Sequence, residues 1–445
     1  MDKEYLIKEK PIKALLVFAF PMMVGNLFQQ FYTMADSVVV GQFVGEDALA
    51  AVGASYSLTN VFISIAIGGG IGASVITSRA FGSRDYGKMK SSVYTALFSF
   101  LGVSIILGGF GLWKGTEIMQ LLNTPSNILG QAAEYLNIYF IGLPFLFMYN
   151  VLSAMFNALG RSRIPLYLLI FSSVFNILLD IYMVYSLNLG VAGVAWATLA
   201  AQGISAAAAF LLFLKELSAY PAEAYSRFDT AELKDMARIA LPSVLQQSTV
   251  SIGMMLVQSV VNSFGTEMLA GFSAAMRVES LCIVPMAAMG NAISPYTAQN
   301  IGASQFERVQ KGYHSAYGIV ALFAVAICFA LEVLHRPVIS LFLGEGGSVL
   351  AMDTGSRCLQ FMGWFFVLIG LKMITDGVLR GAGDMAMFTV ANLVNLGIRV
   401  CFAVTMAPRF GIAMVWYAVP LGWAANYMIS FLEYKTGKWK LKAVP

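Results

Sequence analysis

Two aspartates, Asp36 and Asp180, stand in long apolar stretches of the chain, and each has polar company at helical spacing. Gln29 and Thr33 precede Asp36 by seven and three residues, so on a helix the three form one stripe. Asn176 precedes Asp180 by four, which points both side chains the same way. Thr198 lies about eight residues into the next apolar stretch. Carboxylates flanked by amide and hydroxyl groups can hold a small cation or exchange a proton. In a bilayer such acids are costly and usually mark a pathway. The alternative is that each is a separately satisfied hydrogen bond between helices, and the residues alone leave both open.

The elements that position these residues follow from composition. Hydrophobic residues make up 58% of the 445, charged residues only 12%, and mean hydropathy is +0.73. A soluble domain carries about a quarter charged residues, so the chain reads as a polytopic membrane protein. Apolar stretches long enough to cross a bilayer, about 20 residues, lie at 13–42, 48–78, 91–113, 128–156, 163–187 and 190–214, then at 236–262, 268–299, 313–334, 354–380, 386–408 and 411–434. Each must be a helix, because a lone strand leaves its backbone unpaired in lipid. Asp36, Asp180 and Thr198 each fall roughly five to ten residues from the same end of their spans. At about 1.5 Å per residue they share one depth in the outer half.

The second set of six stretches is a faint copy of the first. Pro21 matches Pro242, Gly45 Gly265, Leu49 Leu269, Ala50 Ala270, Ser74 Ser294, Thr77 Thr297 and Gly82 Gly302. Farther on, Gly160 matches Gly381 and Asn176 matches Asn395. An even number of helices per copy makes the repeats parallel, as in transporters whose two bundles flank a central site. Of the 28 Lys and Arg, only Lys114, Arg336, Arg357 and Arg409 fall in loops or at span ends on one side, while the termini and the other loops hold most of the rest. The positive-inside rule puts both termini in the cytoplasm of a multi-pass protein of the cell membrane. The expected organisation is an N-lobe over 1–216, a cytoplasmic linker over 217–234 with a short amphipathic helix near 230–239, and a C-lobe over 235–445.

Other chemistries find little footing. Gly82-Ser-Arg-Asp-Tyr-Gly-Lys88 opens like a phosphate-binding loop, but Met89 stands where the Mg²⁺-ligating hydroxyl belongs and no strand precedes it. His314 and His335 have no partner motif. Cys282, Cys328, Cys358 and Cys401 lack metal or redox spacing and read as packing residues. Gly68, Gly69, Gly70 and Gly72 suit close helix approach. No cleavage site follows the polar start, so no removed signal peptide is expected. The net charge of +4 belongs to the loops and signals topology, with no nucleic-acid partner. Neither an enzyme nor a cofactor is expected.

The doubled six-helix plan, Pro21 with Asp36 fifteen residues later, Gly160-Arg-Ser-Arg163 and Arg380-Gly-Ala-Gly-Asp384 after the fourth and tenth spans, and Asn176-x-x-x-Asp180 resemble the multidrug and toxic compound extrusion family over essentially the whole chain. The resemblance implies an all-α membrane protein of twelve transmembrane helices in two six-helix bundles. It also implies a V-shaped antiporter that expels organic cations and drugs against inward H⁺ or Na⁺. Matched position by position, the family's N-lobe ion site falls on Asp36, Asn176, Asp180 and Thr198. The same four are the only place where a Na⁺ would be sought. The small organic, cationic substrates it implies would meet Gln29, Tyr32, Thr33, Met34 and Tyr139 from one lobe and Gln247, Ser251, Met254, Met255 and Gln258 from the other, with membrane lipids as the remaining partner and a monomer as the working unit.

The C-lobe departs from one branch of that pattern, since no Asp or Glu stands between Asp235 and Glu267. Gln247, Ser251, Gln258 and Asn262 there form an uncharged polar stripe. Lys372, Asp376 and Arg380, at i, i+4 and i+8, read as local ion pairs. Arg277 and Glu279 are too close in sequence to face each other and need partners elsewhere. In a poorly hydrated bundle the neutral form of a carboxyl gains ground, so Asp36 and Asp180 can exchange protons near neutral pH. Proton-coupled antiport is therefore the leading expectation, Na⁺ coupling at the same oxygens the second. A lipid or oligosaccharide flippase would need a more cationic cavity than Arg277, Lys372 and Arg399 provide.

Overall fold

A computed structural model of the chain describes residues 3–121, 124–222, 224–344 and 347–442, with the side chains of 35–37, 46, 57, 441 and 442 outside the description. Its elements are helices: α1 Tyr5–Lys8, α2 Pro11–Val39, α3 Glu46–Gly82, α4 Tyr86–Leu121, α5 Ser126–Ala158, α6 Arg163–Ile181, α7 Gly190–Ser218 and α8 Thr230–Asn262. There follow α9 Thr266–Cys282, α10 Val284–Gly302, α11 Phe306–Leu343, α12 Val349–Gly363, α13 Phe366–Gly381, α14 Met385–Cys401, α15 Ala407–Phe410, α16 Ala413–Thr436 and α17 Lys438–Lys442. Among the described residues nine helices are individually long and apolar enough to span a membrane, and two more spans are bent pairs. The pair α9 and α10 bends by 41°, α12 and α13 by 54°. With the 24-residue α16 these make the twelve expected segments.

The first bend has a local cause. Pro285 sits in the first turn of α10, where its missing N–H costs nothing to the new helix but breaks the old one. The second has no proline, and falls where Trp364 leaves the helix and donates to Glu332 Oε1 at 2.6 Å.

Backbone geometry repeats with the sequence. Gly45 precedes α3 at φ 117° and Gly265 precedes α9 at φ 94°, a region open to glycine alone. Arg84 and Ser304, two residues after the matched pair Gly82 and Gly302, take φ 60° and 59°. In the later part the geometry corrects the alignment: Gly160 at φ 74° corresponds to Gly383 at φ 76°, not to Gly381. The next N–H confirms it, Arg161 reaching back to Phe156 O at 2.7 Å and Asp384 to Leu379 O at 2.8 Å. Gly381 is needed for another reason, since a Cβ there would lie 2.4 Å from Ser294 O of α10.

The chain divides into two compact units, Val24–Val244 and Met1–Met23 with Leu245–Pro445. These differ from lobes cut at the linker, because α2 and α8 each change unit two residues after an interior proline, Pro21 or Pro242. Such a proline removes a backbone hydrogen bond and loosens the helix at that turn. Ala14, Leu15 and Phe18 of α2 pack into the core that contains Tyr296, Val320 and Phe366. In the other unit, Gly68 and Gly72 of α3 let the start of α8 pass at backbone contact, as a Cβ on either would meet Val244 N or Met236 O at 2.6 Å. Gly69 and Gly70 instead face Phe100 and Ala154, so one glycine run admits three neighbours.

The linker is shorter and better anchored than expected. Residues 219–229 separate α7 from α8, and the segment at 230–239 is the continuous start of α8 and not a separate helix. Ser226 and Asp229 N–H groups donate to Ser91 and Thr95 hydroxyls, each at 2.9 Å. Asp229 Oδ1 accepts from Ala231 N–H at 2.8 Å, capping α8. Tyr225 stacks on Tyr94. Burial and the neighbouring Glu216 carboxylate push the Tyr220 hydroxyl above its ordinary range, which keeps it a donor to that carboxylate at 3.1 Å. The turn between α3 and α4, the short basic loop at 82–88, is closed by Asp85 Oδ1 accepting from Lys88 N–H at 2.9 Å.

Candidate ion-coupling site

Asn176 and Asp180 sit one turn apart on α6, both buried, with Asp180 wholly so. Thr198 faces them from α7 and Tyr32 from α2. The Tyr32 hydroxyl bonds the Asn176 amide, and Asn176 Nδ2 lies 3.4 Å from Thr198 Oγ1. The amide orientation that satisfies every neighbour turns Nδ2 toward Tyr32 and toward Asp180 Oδ2 at 3.3 Å, with Oδ1 accepting from Thr198 N–H at 3.1 Å. Asn176 is then the hub of a cluster drawn from three helices. The side chain of Asp36 lies outside the described residues.

Local structure is unusual at both acids. Past Asp36, α2 widens into a π-helical turn at Val40–Val44, and past Asp180, α6 does so at Tyr182–Ser186. A third follows Arg399 at Phe402–Met406. Such turns insert a residue into the helix and are frequent at functional sites. Beside the cluster, a cavity of about 10 Å³, room for one water, is lined by Tyr139, Thr198, Tyr135 and Gln202. Tyr135 and Gln202 stand one helical turn from Tyr139 and Thr198, a spacing that is the sequence signal for both. The hydroxyl of Tyr32, a residue expected at the substrate cavity, meets the Asn176 amide.

The remaining cavity candidates divide between the units. Gln29, Thr33 and Met34 are exposed on α2, where Thr33 donates to Gln29 O at 2.9 Å, and Tyr139 donates to Thr59 O at 3.3 Å. In the other unit, Met254 and Met255 are exposed, while Gln247, Ser251 and Gln258 are half-buried on α8. Local bonds use much of that stripe: Ser251 donates to Gln247 O at 3.2 Å and Gln258 to Asn262 Oδ1 at 3.0 Å.

Lys372, Asp376 and Arg380 of the second unit find partners. Lys372 Nζ lies 3.3 Å from Asp376 Oδ2, and Asp376 also accepts from Ser430 at 2.6 Å and Asn392 at 3.4 Å. Arg380 turns away to Gly290 O at 3.2 Å and Asn291 Oδ1 at 3.1 Å. The partner that sequence could not name for Glu279 is Arg399, which acts on it electrostatically from α14. Arg277 points outward. Of the four cysteines, Cys358 is buried as a packing residue but Cys401 is exposed. Among the described residues no cluster of His, Cys, Asp and Glu could hold a metal ion.

Long apolar helices in a doubled arrangement, with a polar cluster around the buried Asp180, mark a multi-pass membrane protein. The family model MatE matches residues 21–182 and 242–405, each match opening at one of the repeated prolines, and the chain belongs to that family. It is 29% identical over 431 residues to the probable multidrug resistance protein YpnP of Bacillus subtilis (strain 168), covering 96% of each chain. It is 23% identical over 452 residues to the probable multidrug resistance protein NorM of Thermotoga maritima, covering 99% of this chain and 97% of that one. A solved outward-facing multidrug resistance MATE family transporter superposes with a TM-score of 0.89 at 25% identity over 98% of each chain.

Proposed function

We propose that the protein is a secondary antiporter that exports organic cations and drugs in exchange for H⁺ by alternating access, coupled through Asp36 and Asp180 with Asn176 and Thr198. The observation that carries this reading is the buried Asn176 hub, which ties Asp180 to Tyr32 of α2 and Thr198 of α7. The names of the multidrug relatives support the substrate class.

The chemistry is differential charge. With Asp180 ionised, Asn176 Nδ2–H faces the negative group, and the same amide, bonded to the Tyr32 hydroxyl and the Thr198 N–H, holds α2, α6 and α7 together. A proton on the carboxyl removes the charge and turns one oxygen into a donor, so the same hub must re-pair. Because α2 already lacks a hydrogen bond at Pro21, it is the helix best able to answer by bending. Each proton entering contributes about 1.4 kcal/mol per pH unit and about 2.3 kcal/mol per 100 mV. Exchange of one proton for a monovalent cation gains nothing from voltage, whereas two protons gain from both terms, and two carboxyls permit either.

Na⁺ coupling is the second reading, favoured by the hard oxygens of Asp180, Asn176 and Thr198 in one cluster. Proteoliposomes separate the two. Efflux of a fluorescent organic cation should follow an imposed ΔpH and ignore an imposed ΔNa⁺. Uptake driven by ΔNa⁺ at equal pH on both sides would transfer the assignment to Na⁺.

A further inference from the structure

In the unit that contains residues 245–445, the ends of α11 and α16 and the short α17 enclose a cavity of about 450 Å³ that none of the groups above occupies. Its base is aromatic. Tyr313 stacks on Tyr434 with centroids 4.1 Å apart, and Tyr434 stacks on Trp439 at 5.7 Å. One wall is a chain of hydroxyls in which Tyr317 meets Tyr313, Thr375 Oγ1 at 2.7 Å and Tyr427 at 3.3 Å. The rim is basic. Lys435 Nζ rests 5.3 Å from the Phe431 centroid and Lys440 Nζ 5.6 Å from that of Trp439, and His314 and Gln310 complete the lining. Among the described residues neither lysine forms an ion pair with a carboxylate.

An aromatic belt accounts for Tyr and Trp at a membrane boundary. It does not account for an open space of ligand size whose mouth carries two cations without acids. The surroundings say which anion fits. Antiparallel α11 and α16 both run from this cavity into the apolar part of their spans. On α16, Lys435, Met428 and Leu421 fall at i, i−7 and i−14, one face of the helix, and both apolar residues are exposed. On α11, Val325 lies eleven residues past His314, on the same face, and is 62% exposed. A basic, hydroxyl-rich pocket thus continues into two exposed apolar tracks.

The geometry points to a binding site for an anionic phospholipid. Lys435, Lys440 and His314 take the phosphate, Tyr427 and Gln310 take the headgroup hydroxyls, and the acyl chains lie along the tracks on α11 and α16. Basic residues at a membrane boundary attract anionic lipid in general; the cavity adds a headgroup pocket and hence a preference and a stoichiometry.

Native mass spectrometry of the full chain in detergent tests this, with phosphatidylglycerol, phosphatidylcholine and glycerol 3-phosphate as separate probes. The expected result is one phosphatidylglycerol retained in preference to phosphatidylcholine, weakened roughly tenfold or more by Lys435→Gln with Lys440→Gln. The exposed pair Lys215→Gln with Lys234→Gln should leave it unchanged, and Tyr427→Phe should weaken it less than the lysine pair does. Equal retention of the two lipids, an unaffected lysine variant, or equal loss in the Lys215 and Lys234 control would overturn the proposal. Displacement of the lipid by glycerol 3-phosphate at comparable concentration would overturn it in favour of a soluble phosphate.

Discussion

Asp180→Asn is the sharpest test of the coupling site, because the change is nearly isosteric and falls on a wholly buried group. The asparagine keeps an oxygen within reach of Asn176 Nδ2, which lies 3.3 Å from Asp180 Oδ2. The cost to folding should therefore be about 1 kcal/mol, the size of one ordinary hydrogen bond. The cost to coupling is larger and has a distinct signature. At zero membrane potential each coupled proton multiplies the sustainable substrate ratio by about ten per pH unit. If Asp36 and Asp180 both exchange protons, a gradient of about one pH unit holds a ratio of ~100, and Asp180→Asn should hold ~10. The measurement is the steady-state ratio of a fluorescent organic cation in proteoliposomes clamped with potassium and valinomycin, at matched protein incorporation. A ratio and pH dependence equal to wild type would remove Asp180 from the proton path and leave the cluster a structural one.

Three further outcomes are expected. Asp36→Asn should abolish drug resistance in cells at matched expression and membrane insertion; resistance equal to wild type would dismiss that carboxyl as a coupling group. Asp376→Asn should lower thermal stability by about 3–5 kcal/mol, because Lys372 is left buried and uncompensated, while the ion requirement of transport stays the same; an altered ion requirement with an unchanged melting curve would place coupling in that unit. Gly72→Ala should destabilise by about 1–3 kcal/mol, read from the melting temperature, since its methyl would lie 2.6 Å from Met236 O and 2.7 Å from Ala240 N; unchanged melting would show that α3 and α8 part at no cost.

The sequence by itself determined the membrane class, the helical spans, the duplication and the local pairs. Each rests on spacing within a few turns or on transfer of side chains into lipid, both of which act before any helix finds its neighbour. Thus Asn176 and Asp180 share a face because they are four residues apart, and Lys372 reaches Asp376 for the same reason. Only the tertiary structure decided which distant groups meet. It set Glu279 near Arg399, 120 residues away, and turned the Tyr32 hydroxyl onto Asn176. It paired Gly160 with Gly383, where a shared left-handed turn outweighs residue identity. The Met23/Val24 and Val244/Leu245 boundaries were equally hidden, although both prolines were in view. A proline weakens a helix at a known place, but which core receives each half depends on glycines such as Gly68 and Gly72 in another helix, and on how closely they let a backbone approach.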